Sequence, residues 1–139
     1  MDDKIASTLM RYGLRTKAKE IIRLNDRLWS RIIAHRFSQR CLLCGKPGCD
    51  AHHWLYRRGV LIHRWTISNG VYVCRPCHEK AKDKFYTFVE KIVLLAPALG
   101  EWRDSLPTLQ VVRIPYYALD ETYHLLEKYC LQHNIPTER

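Results

Sequence analysis

Two Cys-X-X-Cys pairs restrict the fold of this chain more than any other feature of its sequence. The first pair is Cys41 and Cys44, the second is Cys74 and Cys77, and 29 residues separate them. Each pair can present two thiolates to one ion while the chain between closes as a loop, so the pattern favours a tetrahedral four-cysteine zinc site. A redox-active pair is the weaker interpretation, because it leaves the other pair without a role. Zinc would also supply folding energy to a segment with few large apolar residues.

The other two cysteines, Cys49 and Cys130, stand apart from these pairs. Cys49 is close enough to the first pair to replace one ligand, although a free thiol is the simpler interpretation.

The first residues are charged and no apolar run follows them, which is untypical of a secretory signal. The longest apolar stretch, residues 92–99, is too short to span a bilayer. We therefore expect an intracellular, cytoplasmic protein with no membrane partner, in which disulfides rarely persist.

Positive charge is concentrated in the first part of the chain. The 139 residues contain 23 Lys and Arg against 14 Asp and Glu, a formal net charge of +9. Residues 1–80 carry +10 and residues 81–139 carry −1. A localised excess is typical of a surface for a polyanion such as DNA, although many basic proteins bind nucleic acid only incidentally. The length fits one domain, and a hydrophobic content of 47% excludes a disordered chain.

Apolar periodicity predicts an α+β chain with helices on both sides of a cysteine-rich centre. A short helix ending near Gly13 and a longer one over residues 16–37 form a basic helical arm, residues 1–38. The zinc-stabilised core, residues 39–96, contains strands at 51–56 and 70–73 and a helix at 76–96. The residues of this helix expected to face inward are Phe85, Phe88, Val89, Ile92 and Leu95. The C-terminal extension, residues 97–139, contains an extended run at 109–114 and a last helix capped by Asp120.

Histidines and one asparagine lie at short distances from the cysteine pairs. In order, the chain reads Cys41-Leu-Leu-Cys44, Ala51-His52-His53-Trp54, and Asn69-Gly-Val-Tyr-Val-Cys74-Arg-Pro-Cys77-His78. This pattern resembles the HNH endonucleases of the ββα-metal type, many of which, in phages especially, combine these residues in this order. The resemblance covers residues 40–80. It implies a ββα-metal core and metal-dependent hydrolysis of phosphodiester bonds in DNA.

A second resemblance is looser. Arg64-Trp65, Asn69, Cys74 and Cys77 are similar to residues of the NinG-type recombination proteins of lambdoid phages. This similarity implies branched DNA or recombination intermediates as the substrate.

The HNH resemblance implies a separate role for each matching residue. The second residue of the strand pair is the general base in the family, which is His53 here, and a side chain that titrates near neutrality suits that role. His52 and His78 are implied as ligands of a catalytic divalent ion. Asn69 would brace the loop or touch the metal. Since successive strand residues point to opposite faces, His52 and His53 can hold different roles without competing.

One position departs from the family pattern. Many relatives have Asp where this chain has His52. A neutral imidazole is a poorer ligand for Mg²⁺ and a better one for Mn²⁺, Ni²⁺ or Zn²⁺. We therefore expect a structural Zn²⁺ and, beside it, a catalytic ion that is Mg²⁺, Mn²⁺, Ni²⁺ or Zn²⁺.

Basic residues form two groups around this segment. One recurs every four residues, a spacing that makes a ridge along a helix, with a solvated helix face as the alternative. The other lies between His53 and Asn69 and is interleaved with Trp54, Tyr56 and Trp65, which could stack on unpaired bases. The stripe is Arg11, Arg15, Lys19, Arg23, Arg27 and Arg31, and the loop group is Arg57, Arg58 and Arg64. We expect Arg23, Arg27, Arg31, Arg57, Arg58 and Arg64 to bind DNA phosphates with little sequence specificity.

The leading hypothesis is thus a metal-dependent HNH endonuclease that acts on double-stranded or branched DNA. A zinc-ribbon nucleic-acid-binding protein without catalysis is the alternative, and an intact His53 argues against it. An RNA-directed protein and a purely structural zinc protein are further alternatives. His63 also lies in the loop and could reach a phosphate, but a lone His beside a zinc site is more often a surface or core residue. The sequence favours neither a monomer nor a dimer.

Overall fold

The computed structural model describes the backbone of residues 3–107 and 116–138, with the side chains in these ranges except those of residues 3–16, 61, 82, 116 and 117. These ranges contain five α-helices and a two-stranded antiparallel sheet, which confirms the predicted α+β class. The helices are α1 (Asp3–Arg36), α2 (Arg75–Asp83), α3 (Phe85–Leu95), α4 (Pro97–Ser105) and α5 (Tyr116–Gln132). The strands are β1 (Asp50–His53) and β2 (Gly70–Val73), and two short 3₁₀ helices, Leu61–His63 and Ile67–Asn69, lie between them. No helix in the described ranges is both long and apolar enough to cross a bilayer.

The described residues group into two compact units. Residues 3–28 and 116–138, which include the first part of α1 and all of α5, form one unit. There the buried Asn25 donates a hydrogen bond from Nδ2 to the carbonyl of Leu119 at 3.2 Å, and Leu126 and Cys130 are buried on α5. Residues 29–107 form the second unit, which contains the sheet, α2 to α4 and the two Cys-X-X-Cys pairs. The three-segment division of the chain stays a prediction.

The core of the second unit lies against the sheet. Val71 and Val73 alternate along β2, so their side chains share one face, and both are almost fully buried. They belong to the same apolar cluster as Phe88 and Ile92 of α3. Burial of each such side chain contributes about 1.5–3 kcal/mol relative to exposure. This cluster fixes β2 and α3 as the scaffold around which the histidines are placed.

The other face of β2 is covered by the last turns of α1 at very close range. Gly70 is buried, and a Cβ atom added there would lie 2.7 Å from Cζ2 of Trp29 and would collide with Ile33. Such distances are well inside van der Waals contact, since carbon atoms pack at about 3.5–4.0 Å. Glycine at this position therefore allows α1 and β2 to approach each other.

The predicted boundaries of α1 and of the first strand were wrong. α1 runs through Gly13 without interruption. A single glycine costs about 1 kcal/mol in a helix interior, which a helix of 34 residues tolerates. β1 ends at His53 rather than at residue 56, because the chain turns away into the loop that leads to β2.

Two predictions for later helices were also wrong. The single helix expected over residues 76–96 is divided at Lys84, whose φ of −136° and ψ of 66° are not helical. Phe88, Val89 and Ile92 are buried as expected, whereas Phe85 and Leu95, which were also expected to face inward, are about half exposed. α5 begins at Tyr116, so Asp120 lies inside the helix, where its carboxylate is 3.5 Å from His124 one turn later. The extended run expected at 109–114 lies outside the described residues.

Candidate metal centre and histidine site

The four cysteines of the two pairs converge on one point. The Sγ atoms of Cys41, Cys44, Cys74 and Cys77 all lie within 4.8 Å of one another, and Cys44 and Cys74 are 3.4 Å apart. A tetrahedral Zn²⁺ site with Zn–S bonds of about 2.3 Å places its sulfur atoms about 3.8 Å apart. The cluster therefore has the ligand type, number and spacing of a structural zinc site, as the sequence predicts.

Local backbone structure presents these thiols. In the first pair, the turn closes with a hydrogen bond from Gly45 N to the carbonyl of Cys41 at 2.9 Å, and Gly45 has a φ of +77° that suits glycine. Leu42 N donates to the carbonyl of Tyr72 at 2.8 Å, which ties this turn to β2. In the second pair, Cys74 is the N-cap residue of α2 and Cys77 lies in its first turn. The cluster thus links the segment after α1 to both β2 and α2.

The thiols of this cluster ionise unequally. Burial opposes ionisation of Cys41, but hydrogen bonds from the backbone of Cys74, Cys44 and Leu43 lower its pKa to about 6. Burial, together with hydrogen bonds to the neighbouring thiols, raises the pKa of Cys77 well above its usual value. Thiolates this close together suppress one another's ionisation. A divalent cation that replaces the thiol protons would offset the repulsion between the thiolates.

A lysine-lined cavity of about 510 Å³ opens beside the cluster. Cys44 and Cys77 line it, together with Lys80, Lys84 and Lys91. Four thiolates around Zn²⁺ carry a formal charge of about −2. The exposed lysines on the wall of the same cavity would partly offset this charge, although Asp83 also lines the cavity.

Cys49 lies outside the cluster. Its buried thiol donates a hydrogen bond to the carbonyl of Lys46 at 3.0 Å, and burial raises its pKa. The simpler of the two interpretations of Cys49, a free thiol that is not a ligand, agrees with this geometry.

His52 and His53 lie on opposite faces of the two-stranded sheet. They are consecutive residues of β1, where His52 pairs with Val71 and His53 pairs with Gly70. Residues paired directly across antiparallel strands share a face. His52 therefore lies on the valine face of β2, and His53 lies on the glycine face, against which α1 packs.

On the valine face, His52 meets His78 from α2. Their ring centroids are 4.0 Å apart with the ring planes at 53°, and the ring of Phe88 contacts His52 edge-on at 5.6 Å. Both histidines are half-buried. The structure thus brings together the two residues that the HNH resemblance implies as ligands of one ion.

On the glycine face, His53 is held by an indole and a carbonyl. The ring of Trp29 is stacked on that of His53, with centroids 4.2 Å apart and planes within 8° of parallel. His53 Nε2 is 2.8 Å from the carbonyl oxygen of Arg64. Trp29 is itself fixed, because it is buried and donates from Nε1 to the carbonyl of Thr66 at 3.0 Å. The imidazole plane and one of its nitrogens are thus both constrained.

Asn69 braces the loop between the strands. It is fully buried, and its Oδ1 accepts from the backbone N of Tyr56 at 3.0 Å and from that of Leu55 at 3.4 Å. Its Nδ2 donates to the carbonyls of Tyr56 and His63, each at 3.0 Å. An amide can donate twice and accept twice, so these bonds use its full capacity. Of the two roles implied for Asn69, the structure shows the bracing one.

The arginines expected to bind DNA lie in two places. Arg23 is exposed on α1, and Arg27 and Arg31 follow at intervals of four residues and are half-buried. Only the backbone is described for Arg11 and Arg15. In the loop, Arg57 and Arg58 are exposed, and the guanidinium of Arg64 lies 5.5 Å from the ring centroid of Trp65.

The expectation that Trp54 and Trp65 could stack on unpaired bases was wrong. Trp54 is fully buried and donates from Nε1 to the carbonyl of Ser68 at 2.7 Å, and Trp65 is also buried. Tyr56, the third aromatic of that group, keeps partial exposure. The rings of Trp54 and Trp65 belong to the core of this unit and cannot also face a ligand.

Trp29 is a site residue that no sequence pattern indicated. It lies 24 positions before His53, within the helix expected over residues 16–37. No local pattern marks a contact made through packing of α1 on the sheet.

Comparisons with known proteins identify no relative. No protein-family model matches the chain, and neither a curated protein nor a solved structure gives a significant match. Any function must therefore be argued from the site itself.

Proposed function

We propose that this protein is a metal-dependent endonuclease that hydrolyses phosphodiester bonds in DNA with low sequence specificity, as its resemblance to the HNH family implies. The observation that carries the proposal is the arrangement around β1. One face of the sheet brings His52 to His78, and the other holds His53 between a stacked indole and a carbonyl. Phosphodiester hydrolysis needs both parts, a site for a divalent ion and a base for water.

The hydrogen bond of His53 supports Nδ1 as the nitrogen that would act as the base. A carbonyl oxygen only accepts hydrogen bonds, so Nε2 carries the proton in its bond to Arg64 at 2.8 Å. In the neutral imidazole, Nδ1 then keeps the lone pair. In the proposed reaction Nδ1 takes a proton from the attacking water and a new P–O bond forms. The bond from phosphorus to the 3′-oxygen breaks with its electron pair going to that oxygen, which then takes a proton from solvent.

Trp29 would position this base. The parallel stack fixes the plane of the imidazole, and the Arg64 carbonyl fixes its rotation within that plane. A base held in one orientation loses less entropy on reaching the transition state. Trp29 is thus a positioning residue and has no chemical step of its own.

His52 and His78 would hold the catalytic ion. Imidazole nitrogens suit Mn²⁺, Ni²⁺ and Zn²⁺ better than Mg²⁺, so the residues present fit a borderline ion. When bound, such an ion stabilises negative charge on the phosphate and on the leaving oxygen. The four-cysteine cluster would have a separate, structural role, since it fixes α2, which carries His78, relative to β2.

Binding to DNA would depend mainly on phosphate contacts. The proposed contacts are Arg57, Arg58 and Arg64 in the loop that follows His53, and Arg23, Arg27 and Arg31 on α1. Contacts of this kind position a duplex without reading its sequence.

A plasmid-nicking assay tests the proposal. Purified protein would be incubated with supercoiled DNA and with Mg²⁺, Mn²⁺, Ni²⁺ or Zn²⁺ in turn. We expect nicking by the wild type and a rate about 10²–10⁴-fold lower for His53→Ala, the usual effect of removing a general base. His124→Ala is the matched control, because this exposed histidine lies on α5 and should retain the wild-type rate.

Two outcomes would contradict the proposal. One is the absence of nicking with every ion, which would favour a zinc-binding protein without catalysis. The other is an equal rate for wild type and His53→Ala, which would assign the activity to a contaminating nuclease.

A further inference from the structure

A second group of aromatic rings lies in the unit that contains the histidines, and the proposed reaction does not use it. Tyr56 and His63, both in the loop between β1 and β2, stack with ring centroids 4.6 Å apart and planes 20° from parallel. Trp102 of α4 lies perpendicular to both, at 6.5 Å from Tyr56 and 5.6 Å from His63. We refer to Tyr56, His63 and Trp102 as the aromatic cluster.

The aromatic cluster keeps contact with solvent. Each of its three side chains is partly exposed, whereas Trp54 and Trp65 nearby in sequence are buried. Burial lowers the pKa of His63 below its usual value of 6.5, so its ring is uncharged at neutral pH. An uncharged, partly exposed stack of flat rings offers a surface on which another flat ring can continue the stack.

The aromatic cluster is also held in place before any ligand binds. Asn69 fixes the backbone of both loop members, through the N–H and carbonyl of Tyr56 and the carbonyl of His63. The ring of His63 is further bonded through Nδ1 to Oγ1 of Thr66 at 3.3 Å. A preorganised surface binds with less entropic cost than a mobile loop.

Positive charge adjoins the aromatic cluster in sequence, on the same loop. Arg57 and Arg58 directly follow Tyr56, and Arg64 directly follows His63. A nucleotide has this combination of parts, because it carries a flat base and an anionic phosphate. A base inside an intact duplex is stacked between its neighbours, so its faces are accessible only where the strand is unpaired.

We propose that the aromatic cluster binds an unpaired nucleotide of the DNA substrate, with the base on the rings and the phosphate on the neighbouring arginines. The nuclease would then prefer DNA in which a duplex adjoins a single-stranded segment over a continuous duplex. The cleavage preference rests on the proposed function, but the binding preference does not.

Fluorescence anisotropy tests the binding preference. The protein carries His53→Ala and no divalent ion is added, so that no cleavage occurs. The probes are a labelled blunt duplex and the same duplex with a short single-stranded overhang. We expect tighter binding of the overhang duplex, and a loss of about 5- to 150-fold for that probe alone in Tyr56→Leu, the usual effect of removing one base–aromatic stack.

Two further variants separate stacking from stability. Tyr56→Phe keeps the ring and should retain the wild-type affinity for the overhang. Tyr86→Leu removes an aromatic side chain that is 83% exposed on α3, away from the aromatic cluster, and should change neither affinity. Zinc content and circular dichroism of each variant report whether it is folded, and Trp102→Leu provides a second substitution if Tyr56→Leu does not fold.

Several results would overturn the inference. They are equal affinity of the wild type for both probes, an equal loss for both probes in Tyr56→Leu, and the same loss in Tyr86→Leu. Tighter binding of an RNA overhang than of the DNA overhang would also overturn the assignment to DNA. Overhang preference without nicking would refute only the proposed endonuclease, and nicking without overhang preference would refute only this inference.

Discussion

The two faces of the small sheet give adjacent histidines very different surroundings. On the valine face, His52 meets a second imidazole, that of His78, at 4.0 Å. On the glycine face, His53 meets an indole at 4.2 Å and a carbonyl at 2.8 Å. Two facing imidazoles suit a shared ion, and one imidazole held in plane suits proton transfer. Because the two residues are chemically identical, the difference comes from the helices that cover each face.

The largest expected effect is the loss of the fold that supports both faces of the sheet. Cys74→Ser should release the zinc ion and abolish cooperative unfolding of residues 29–107, because the cluster ties the first cysteine turn to β2 and α2. Elemental analysis should find about one zinc ion per wild-type chain and none in the variant. Cys130→Ser, a substitution outside the cluster, should keep its zinc. Wild-type protein that contains no zinc would contradict this prediction.

The next prediction distinguishes the histidine on the glycine face from those on the valine face by their response to metal concentration. His53→Ala should reduce turnover by about 10²–10⁴-fold at every metal concentration, because it removes a base and leaves the ion site intact. His78→Ala should reduce activity at low metal concentration and recover part of it at high concentration, because it removes a ligand. Nicking rates against metal concentration measure both effects. Rescue of His53→Ala but not of His78→Ala by added metal would reverse the assignment of the two faces.

A smaller effect on the rate is expected for substitution of Trp29, which lies on the helix that covers the glycine face. Trp29→Leu should lower kcat by about 10- to 100-fold with little change in KM, because the imidazole loses its orientation. Trp29→Phe keeps a stacked ring and should recover most of the rate. Proton shifts of His53 in NMR spectra should move in Trp29→Leu, since the ring current of the indole is lost.

A matched control for this substitution is Trp54→Leu, which removes another buried indole of the same unit, one whose ring packs on Trp102. If Trp54→Leu lowers kcat as much as Trp29→Leu does, stability and not orientation explains both effects.

The smallest effect concerns the ion that we propose His52 and His78 to hold on the valine face. His52→Asp should retain most of the activity and shift the preference from Mn²⁺ or Ni²⁺ towards Mg²⁺, because a carboxylate is a harder ligand than an imidazole. Nicking rates with each ion at one concentration measure the shift. An unchanged order of ions would mean that His52 does not contact the catalytic ion.

The sequence predicted the parts of the site that depend on local spacing. Two Cys-X-X-Cys pairs at a suitable distance predicted the four-cysteine cluster, and alternation along a strand placed His52 and His53 on different faces. The close approach of His52 to His78 was expected only through the HNH resemblance.

Contacts that depend on tertiary packing were not predictable in this way. The stack of Trp29 on His53 and the burial of Trp54 and Trp65 follow from how α1 and the loop pack against the sheet, which no local period encodes. The break at Lys84 was hidden for a related reason, because apolar residues on both sides continue a helical pattern through it.

The close contact at Gly70 restricts how this site can change during evolution. A methyl group there would force the side chains of Ile33 and Trp29 to move, which would disturb the stack of the indole on His53. An alanine at position 70 fits without such movement only together with smaller side chains at these two positions. Substitution of Gly70 is therefore coupled to both neighbours, whereas a smaller ring at position 29 requires no change at Gly70.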